Sequence, residues 1–534
     1  MKRGNTTGPA VRVMVAIMGS RVLGLVRDVV LNSIFGAGAV LDAFWTAFRI
    51  PNLLRDLLAE GALSVSFTTT FSKKVARDGK EAAFGLAQAM LTSMLVLLAV
   101  VTALGMWFSP EIVAVAAKGF DPAKQELTAE LTRILFPFIL FVSLAAVYMG
   151  LLNTLGSFGL PASASTAFNA VSILTGLALG YWIDPTLGAE SIVGFAMGTV
   201  LGGAAQLLIQ MPKAASLGFK LRLNWNWKDP ELRKIYLLSL PAIAGVAAVQ
   251  INVLVNQFWA SFMGDGSVTY FNNAFRLMQL PIGLFGVAVG MVTLPSVSTS
   301  AAEHNMQHFR WKVVEGLKLA LFLTVPASLG LCFMAEPIIG LIYEHGRFEA
   351  HDTVATARLL QAFTLGLAGY ACIKVLAPTF YALDMPRVPV WISVKAIGLN
   401  LLFTLILIKG FGMGLMALPL SISLVALLNL FQLALALSRK LGSITTGTDF
   451  PAFILKMSLL TLLFLVLLAS IHGLIGCRIS GNLFRLAYLG TGVPILAGVY
   501  FWMAWKLGFE EVDQILALLK RKTSRTALPS TIQE

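Results

Sequence analysis

The sequence predicts an all-α polytopic membrane protein with about 14 transmembrane helices, arranged as two pseudo-symmetric six-helix lobes plus two extra C-terminal helices. Three observations predict it. Of 534 residues, 57% are hydrophobic and only 13% charged, where a soluble chain carries about 25% charge. Apolar stretches of spanning length recur along the whole chain; a span needs about 20 such residues because backbone groups in hydrocarbon must be satisfied within their own helix. Finally, the two halves repeat. Gly36-Ala37-Gly38 matches Gly264-Asp265-Gly266, Ala47-Phe48-Arg49 matches Ala274-Phe275-Arg276, Pro110 matches Pro337 and Gly119 matches Gly346, at a steady offset of about 227 residues.

In chain order, residues 1–211 form the first lobe, with spans at 13–35, 39–70, 84–108, 131–153, 161–183 and 190–211. The second is interrupted at Pro51, whose ring removes a helical hydrogen bond. Residues 212–234 are a basic linker with Trp225 and Trp227, aromatic residues suited to the membrane interface. The second lobe, 235–440, holds spans at 235–263, 268–300, 313–335, 354–380, 388–408 and 412–438. Six crossings return the chain to its starting side, so both copies share one orientation and their symmetry axis runs along the membrane normal. Segment 441–508 adds spans at 452–475 and 482–506, which lie outside the repeat, carry little charge beyond Lys456 and Arg485, and read as a lipid-facing pair; 509–534 is a tail.

The net charge of +13 is placed as membrane topology places it, with no call for nucleic acid as a partner. Alternating spans gather about 24 basic residues on the side of both termini and about 5 opposite, which reads as cytoplasmic against external loops. Both termini are therefore expected in the cytoplasm. Residues 1–12 lack the apolar core and small-residue cleavage site of a removable signal peptide. Cys332, Cys372 and Cys477 stand singly in apolar stretches, as buried free thiols do.

The charges inside the spans carry the functional signal. Each Arg, Lys or Asp at mid-membrane costs about 2.5 to 3.5 kcal/mol on insertion scales, and the first two spans hold Arg21, Arg27, Asp28, Asp42, Arg49, Arg55, Asp56 and Glu60. They must face a polar interior or one another. At 100° per residue, Ser20, Arg21, Gly24, Arg27 and Asp28 fall in an arc of about 120°, with Val22, Leu23, Val26 and Val30 outside it. Gly24 leaves room for a substrate or a neighbouring helix. Asp42, Arg49, Asp56 and Glu60 share a face of span 2, while Arg55 lies about 140° away unless the proline turns it inward. In the second lobe Arg276 shares a face with Asn272, Asn273 and Gln279, and Lys374 lies between Tyr370 and Tyr381. Cations converging on one cavity favour an anionic ligand, since a guanidinium fork suits phosphate oxygens; the competing reading is interhelical salt bridges.

Other signals are weak. His304 and His308 lack a third ligand, the turn Glu344-His345-Gly346-Arg347-Phe348 lacks a second carboxylate or nucleophile, and no phosphate-binding glycine loop is present. No metal, cofactor or catalytic residue is expected.

Several motifs resemble one family. Ser20-Arg21-Val22-Leu23-Gly24 with Arg27-Asp28, Phe35-Gly36-Ala37-Gly38, Asp42-Ala43-Phe44, Pro51-Asn52-Leu53-Leu54-Arg55 and Ala59-Glu60-Gly61-Ala62 look like the MurJ (MviN) lipid II flippases, as do Arg276-Leu277-Met278, Leu294-Pro295-Ser296 and Lys374-Val375-Leu376-Ala377-Pro378. The resemblance implies the fold of the multidrug/oligosaccharidyl-lipid/polysaccharide exporter superfamily, the bacterial inner membrane, and a substrate that is the undecaprenyl-pyrophosphate-linked peptidoglycan precursor. It implies cavity arginines at Arg21, Arg27, Arg55 and Arg276, with further polar positions at Asp42, Glu60 and Lys374; Asp28 and Gly24 join the expected substrate site from the stripe on span 1. Where the family often has acids flanking the arginine of span 8, Phe275 and Gln279 stand, which makes this region more basic. The expected mechanism is alternating access, with the polyprenyl tail in a groove formed by spans 13 and 14 and membrane lipid around it. Other cell-wall synthesis proteins are conceivable partners. The alternatives are an exporter of drugs or of another lipid-linked oligosaccharide on the same fold, and a membrane enzyme acting on polyprenyl phosphates.

Overall fold

The computed structural model describes residues 7–57, 62–442, 447–475 and 481–515; Glu60 and Cys477 lie outside them. Among the described residues every regular element is helical, and contacts divide the chain into two compact units. Unit 1 comprises residues 1–272 with 343–352, and unit 2 comprises 273–342 with 353–534.

Unit 1 contains α1 (Thr7–Phe35), α2 (Ala39–Arg55), α3 (Ala62–Trp107), α4 (Ser109–Ala116), α5 (Pro122–Leu135), α6 (Pro137–Thr154), α7 (Gly159–Ile183), α8 (Ile192–Leu208), α9 (Met211–Ser216) and α10 (Pro230–Ala260). The boundary between the units falls within α11 (Ser267–Pro281). Unit 2 continues with α12 (Val287–Ala302), α13 (Met306–Phe333), α14 (Ala335–Tyr343, whose last residue is counted in unit 1), α15 (Ala350–Ala382), α16 (Arg387–Leu405), α17 (Ala417–Leu441), α18 (Phe450–Ile475) and α19 (Asn482–Lys506). The start of α15, through Asp352, also belongs to unit 1.

Local chemistry sets the ends of these helices. The Asp121 carboxylate accepts from the Lys124 N–H at 3.1 Å ahead of Pro122, and Asp229 accepts from the Glu231 N–H at 2.8 Å ahead of Pro230; an acidic cap followed by proline at the first helical position is a strong start signal. Gly79, at φ 85°, breaks α3 between the end of the second predicted span and the start of the third. The break expected at Pro51 comes later: α2 runs through the proline and opens into a π turn at residues 56–57.

Among the described residues, each predicted span lies mainly on helix. Among the described residues, eleven helical stretches are long and apolar enough to cross a membrane. The predicted first, second and seventh spans fall on α1, on α2 with the start of α3, and on α10. Their polar content explains why they are weaker signals: Arg21, Arg27 and Asp28 on α1, only 17 residues in α2, and Gln250, Asn252, Asn256 and Gln257 on α10.

The core of unit 1 is built around Phe67, Phe71, Met90, Leu98, Ile139, Tyr148 and Leu151, which join α3 to α6. Beside it, α7 and α8 meet through glycines. A Cβ on Gly198 would lie 2.6 Å from the Gly176 Cα, so the backbones touch as in small-residue membrane interfaces. In unit 2, Val297, Phe309, Val313, Leu376, Phe380 and Leu437 form one core, and Phe322, Leu460, Phe464, Tyr500 and Ala504 form another that fastens α18 and α19 to α13. The Tyr500 hydroxyl donates to the Phe322 carbonyl at 2.8 Å, satisfying a phenol that apolar surroundings would otherwise penalise. Leu455, Val466 and Ile495 stay largely exposed on the outer faces of α18 and α19, as lipid-facing residues do.

Candidate functional site

On α1 the polar stripe and the apolar face separate. Val22 and Val26 are exposed, whereas Arg27 is 8% and Asp28 3% exposed. An Arg27 Nη2 donor lies 3.5 Å from Asp28 Oδ1, and its guanidinium stands 5.6 Å from the Phe48 ring and 5.5 Å from the Phe168 ring. Aromatic faces attract a cation without cancelling its charge. Arg21 lies on the same helix and is exposed. Gly24 serves a neighbouring helix: a Cβ there would be 3.6 Å from the Asn169 Nδ2 of α7, and that same amide donates to the Ser20 carbonyl at 3.2 Å.

Arg55 and Asp56 form a pair of consecutive residues, with Arg55 Nε and Nη2 at 3.2 and 2.8 Å from Asp56 Oδ1. Asp56 Oδ2 also accepts from Gln250 of α10 at 2.9 Å. Glu60, the remaining acid of that face, lies outside the described residues. In unit 2, Arg276 is half-buried on α11 and Lys374 is exposed on α15. Phe275 packs its ring 5.6 Å from Phe363, and α12 approaches Lys374 closely enough that a Cβ on Gly290 would be 2.6 Å from its carbonyl oxygen.

Asp42 occupies a different kind of place from the arginines. It is fully buried, and its carboxylate accepts four hydrogen bonds: Lys124 Nζ at 2.9 Å, the Gly266 N–H at 2.8 Å, the Thr269 N–H at 2.8 Å and Thr269 Oγ1 at 2.7 Å. It thereby satisfies the otherwise orphaned N–H groups at the start of α11. Lys124 reaches a second carboxylate, Asp265, at 2.8 Å and lies 4.1 Å from the Phe120 ring. Both Asp42 oxygens are engaged and the residue has no exposed surface in this structure.

Lys124, Asp265, Thr269, Tyr270 and Asp352 were not singled out by sequence, yet the repeat contains the signal. The helix starts at 39, 122 and 159 recur at 267, 350 and 387, each 228 residues on. By that register Asp42 and Lys124 correspond to Tyr270 and Asp352, and the second pair is bonded too, Tyr270 donating to Asp352 Oδ1 at 2.6 Å. Lysine in one copy is thus carboxylate in the other. Two further contacts are exchanged between copies. The Gly119 N–H donates to Ser261 Oγ at 3.0 Å, and the N–H of Arg347, the residue after Gly346, donates to the Ser33 carbonyl at 2.8 Å.

Comparison with known proteins agrees with this architecture. The family described as Lipid II flippase MurJ matches residues 31–487. The Lipid II flippase MurJ of Burkholderia cenocepacia is 32% identical over 505 residues, which covers 92% of this chain and 95% of that protein. Among solved structures, "Lipid II flippase MurJ, inward closed conformation" has a TM-score of 0.75 at 25% identity, covering 92% of this chain and 97% of that one. An inward-facing multidrug resistance MATE family transporter of the MOP superfamily shares the fold, with a TM-score of 0.66 at 15% identity over 82% of this chain and 99% of its own. Motifs, helical architecture and near full-length similarity lead to one conclusion: the chain belongs to the lipid II flippase MurJ family.

Proposed function

We propose that Arg21, Arg27, Arg55, Arg276 and Lys374 hold the pyrophosphate of a polyprenyl-linked precursor during alternating access, with both termini in the cytoplasm. The protein is a multi-pass inner-membrane transporter, a lipid II flippase and not an enzyme. The observation that carries the binding assignment is Arg27, 8% exposed within a spanning helix and framed by two aromatic rings. A guanidinium kept in so dry a setting interacts strongly with an arriving phosphate, because little water screens it. Asp28 at 3.5 Å tempers that charge and orients the fork.

In this reading Asp42 acts on access and not on the ligand. Its four bonds tie α2 to the start of α11 and to Lys124 of α5 on the external side, and their release belongs to the step that opens that side. The polyprenyl tail stays in lipid along α18 and α19, since dragging it through a polar cavity would forfeit about 0.8 kcal/mol per methylene. Other cell-wall synthesis proteins fit as partners by the logic of substrate supply alone.

Complementation of a strain depleted of its own flippase tests the assignment. Arg27→Ala and Arg276→Ala should insert normally and fail to restore growth, with precursor accumulating. Loss of a charge-assisted contact of about 1.5–3 kcal/mol corresponds to a roughly tenfold to hundredfold fall in flux. Full complementation by both variants would remove the arginines from the binding role.

A further inference from the structure

A cleft between the start of α3 and the start of α10 takes no part in the mechanism above. It encloses about 720 Å³ and is lined by Lys73, Lys74, Arg77 and Lys234, a single carboxylate, Glu231, and an apolar wall that includes Val65 and Leu238. Lys74 and Arg77 both spend their charge on Glu231, at 2.8 and 2.7 Å, and Arg77 also bonds Asp78 at 2.7 Å. Burial works against the Glu231 carboxylate, but Lys74 and Arg77 outweigh it and hold its pKa below the ordinary glutamate value. Lys73 and Lys234 form no ion pair among the described residues, and an adjoining hollow of about 530 Å³ adds Lys228 and Arg233. Positive charge is therefore in excess here.

The surroundings are oily as well as basic. Leu237, Leu238 and Leu240 on α10 are each more than half exposed. Beside them the linker is strapped to α3, with Gln88 Nε2 donating to the Lys220 carbonyl at 2.7 Å, the Asn224 N–H to Thr92 Oγ1 at 3.0 Å, and Asn224 Nδ2 to the Gly85 carbonyl at 2.9 Å. The strap presents Trp225 and Trp227, stacked at 6.1 Å and 62% and 53% exposed. Exposed indoles belong at headgroup depth, and basic clusters next to them attract anionic leaflets. A free phosphate would satisfy the lysines yet leave the leucines bare, whereas a lipid covers both.

We infer that this cleft binds an anionic phospholipid, its phosphate between Lys73 and Lys234 and an acyl chain along Val65 and Leu238. The inference rests on the proposed cytoplasmic placement of this end. The lipid is a resident one, separate from the transported precursor.

Native mass spectrometry of the full chain in detergent tests it, titrated with phosphatidylglycerol or with neutral phosphatidylcholine, and with inorganic phosphate as a competitor. The expected result is at least tenfold tighter binding of phosphatidylglycerol, no displacement by phosphate, loss of the preference in Lys73→Ala/Lys234→Ala and its retention in Lys73→Arg/Lys234→Arg. Equal affinity for the two lipids, displacement by phosphate, or an undiminished preference in the alanine pair would each overturn the lipid site. Placement is read separately, by labelling Lys228→Cys in intact cells with an impermeant maleimide against the parent chain. Labelling from outside overturns the leaflet assignment; protection together with a failed titration removes the lipid site and leaves the topology standing.

Discussion

The node around Asp42 and the cleft beside Lys73 are both built on lysine, and they handle its charge in opposite ways. Lys124 lies between two carboxylates at 2.9 and 2.8 Å with a side chain only 3% exposed. Lys73 and Lys234 are exposed residues lining a cleft whose four cations face a single carboxylate, which only Lys74 and Arg77 bond. A dry, fully bonded charge network fixes helices in place, because removing any member strands the others. A wet excess of charge fixes little and remains available to a ligand.

The sharpest way to break this contrast is Asp42→Ala, which leaves Lys124 with Asp265 alone and orphans two backbone N–H groups. Breaking such a buried pair costs about 3–5 kcal/mol, so thermal unfolding in detergent should show a much lower transition. The double variant Asp42→Asn/Lys124→Met should recover part of that loss. An unchanged transition in Asp42→Ala would mean that the node carries no structural weight.

Tyr270→Phe probes the equivalent pair at lower stakes. It removes one 2.6 Å bond to Asp352, which keeps the Glu349 N–H at 2.9 Å. A loss of about 1.5 kcal/mol is expected, and a loss as large as that of Asp42→Ala would show that the two copies bear equal loads.

Glu511 sharpens the comparison from another side, as a buried carboxylate without such a set of donors. Desolvation raises its pKa above the ordinary glutamate value, the charge of Lys318 opposing this only in part. A raised folded-state value makes the stabilisation complete below pH about 4.5 and lost as pH rises through the folded value. Glu511→Gln should therefore melt higher than the parent near pH 8 and show no advantage near pH 4. The smallest effect belongs to Lys73→Ala, whose stability should stay within about 0.5 kcal/mol of the parent, even as its lipid preference changes.

Much of the fold was legible because hydrocarbon leaves a chain few choices. Apolar length sets each crossing, so even α1 and α10, rich in polar residues, were placed on helix. Finer features depended on side chains that pattern does not orient. Pro51 marked a disturbance in span 2, but losing one backbone donor did not end the helix, and the widening came at residues 56–57. The direction of Arg55 was left open by helical arithmetic; its neighbour Asp56 captures it. Lys124 was missed because a lysine just ahead of a predicted span is ordinarily solvated. Its counterpart Asp352, 228 residues on, was the available clue, since a lysine and a carboxylate at matching positions point to a charged contact in each copy.

The glycine contact between α7 and α8 bears on how such a molecule changes shape. Two backbones pressed together at Gly176 and Gly198 have no side chains between them to slide or re-pack, so the pair behaves as a stiff plank. The π turn Ile282–Gly286 that runs from α11 into α12 is the opposite case, a stretch where the helical ladder is already loosened.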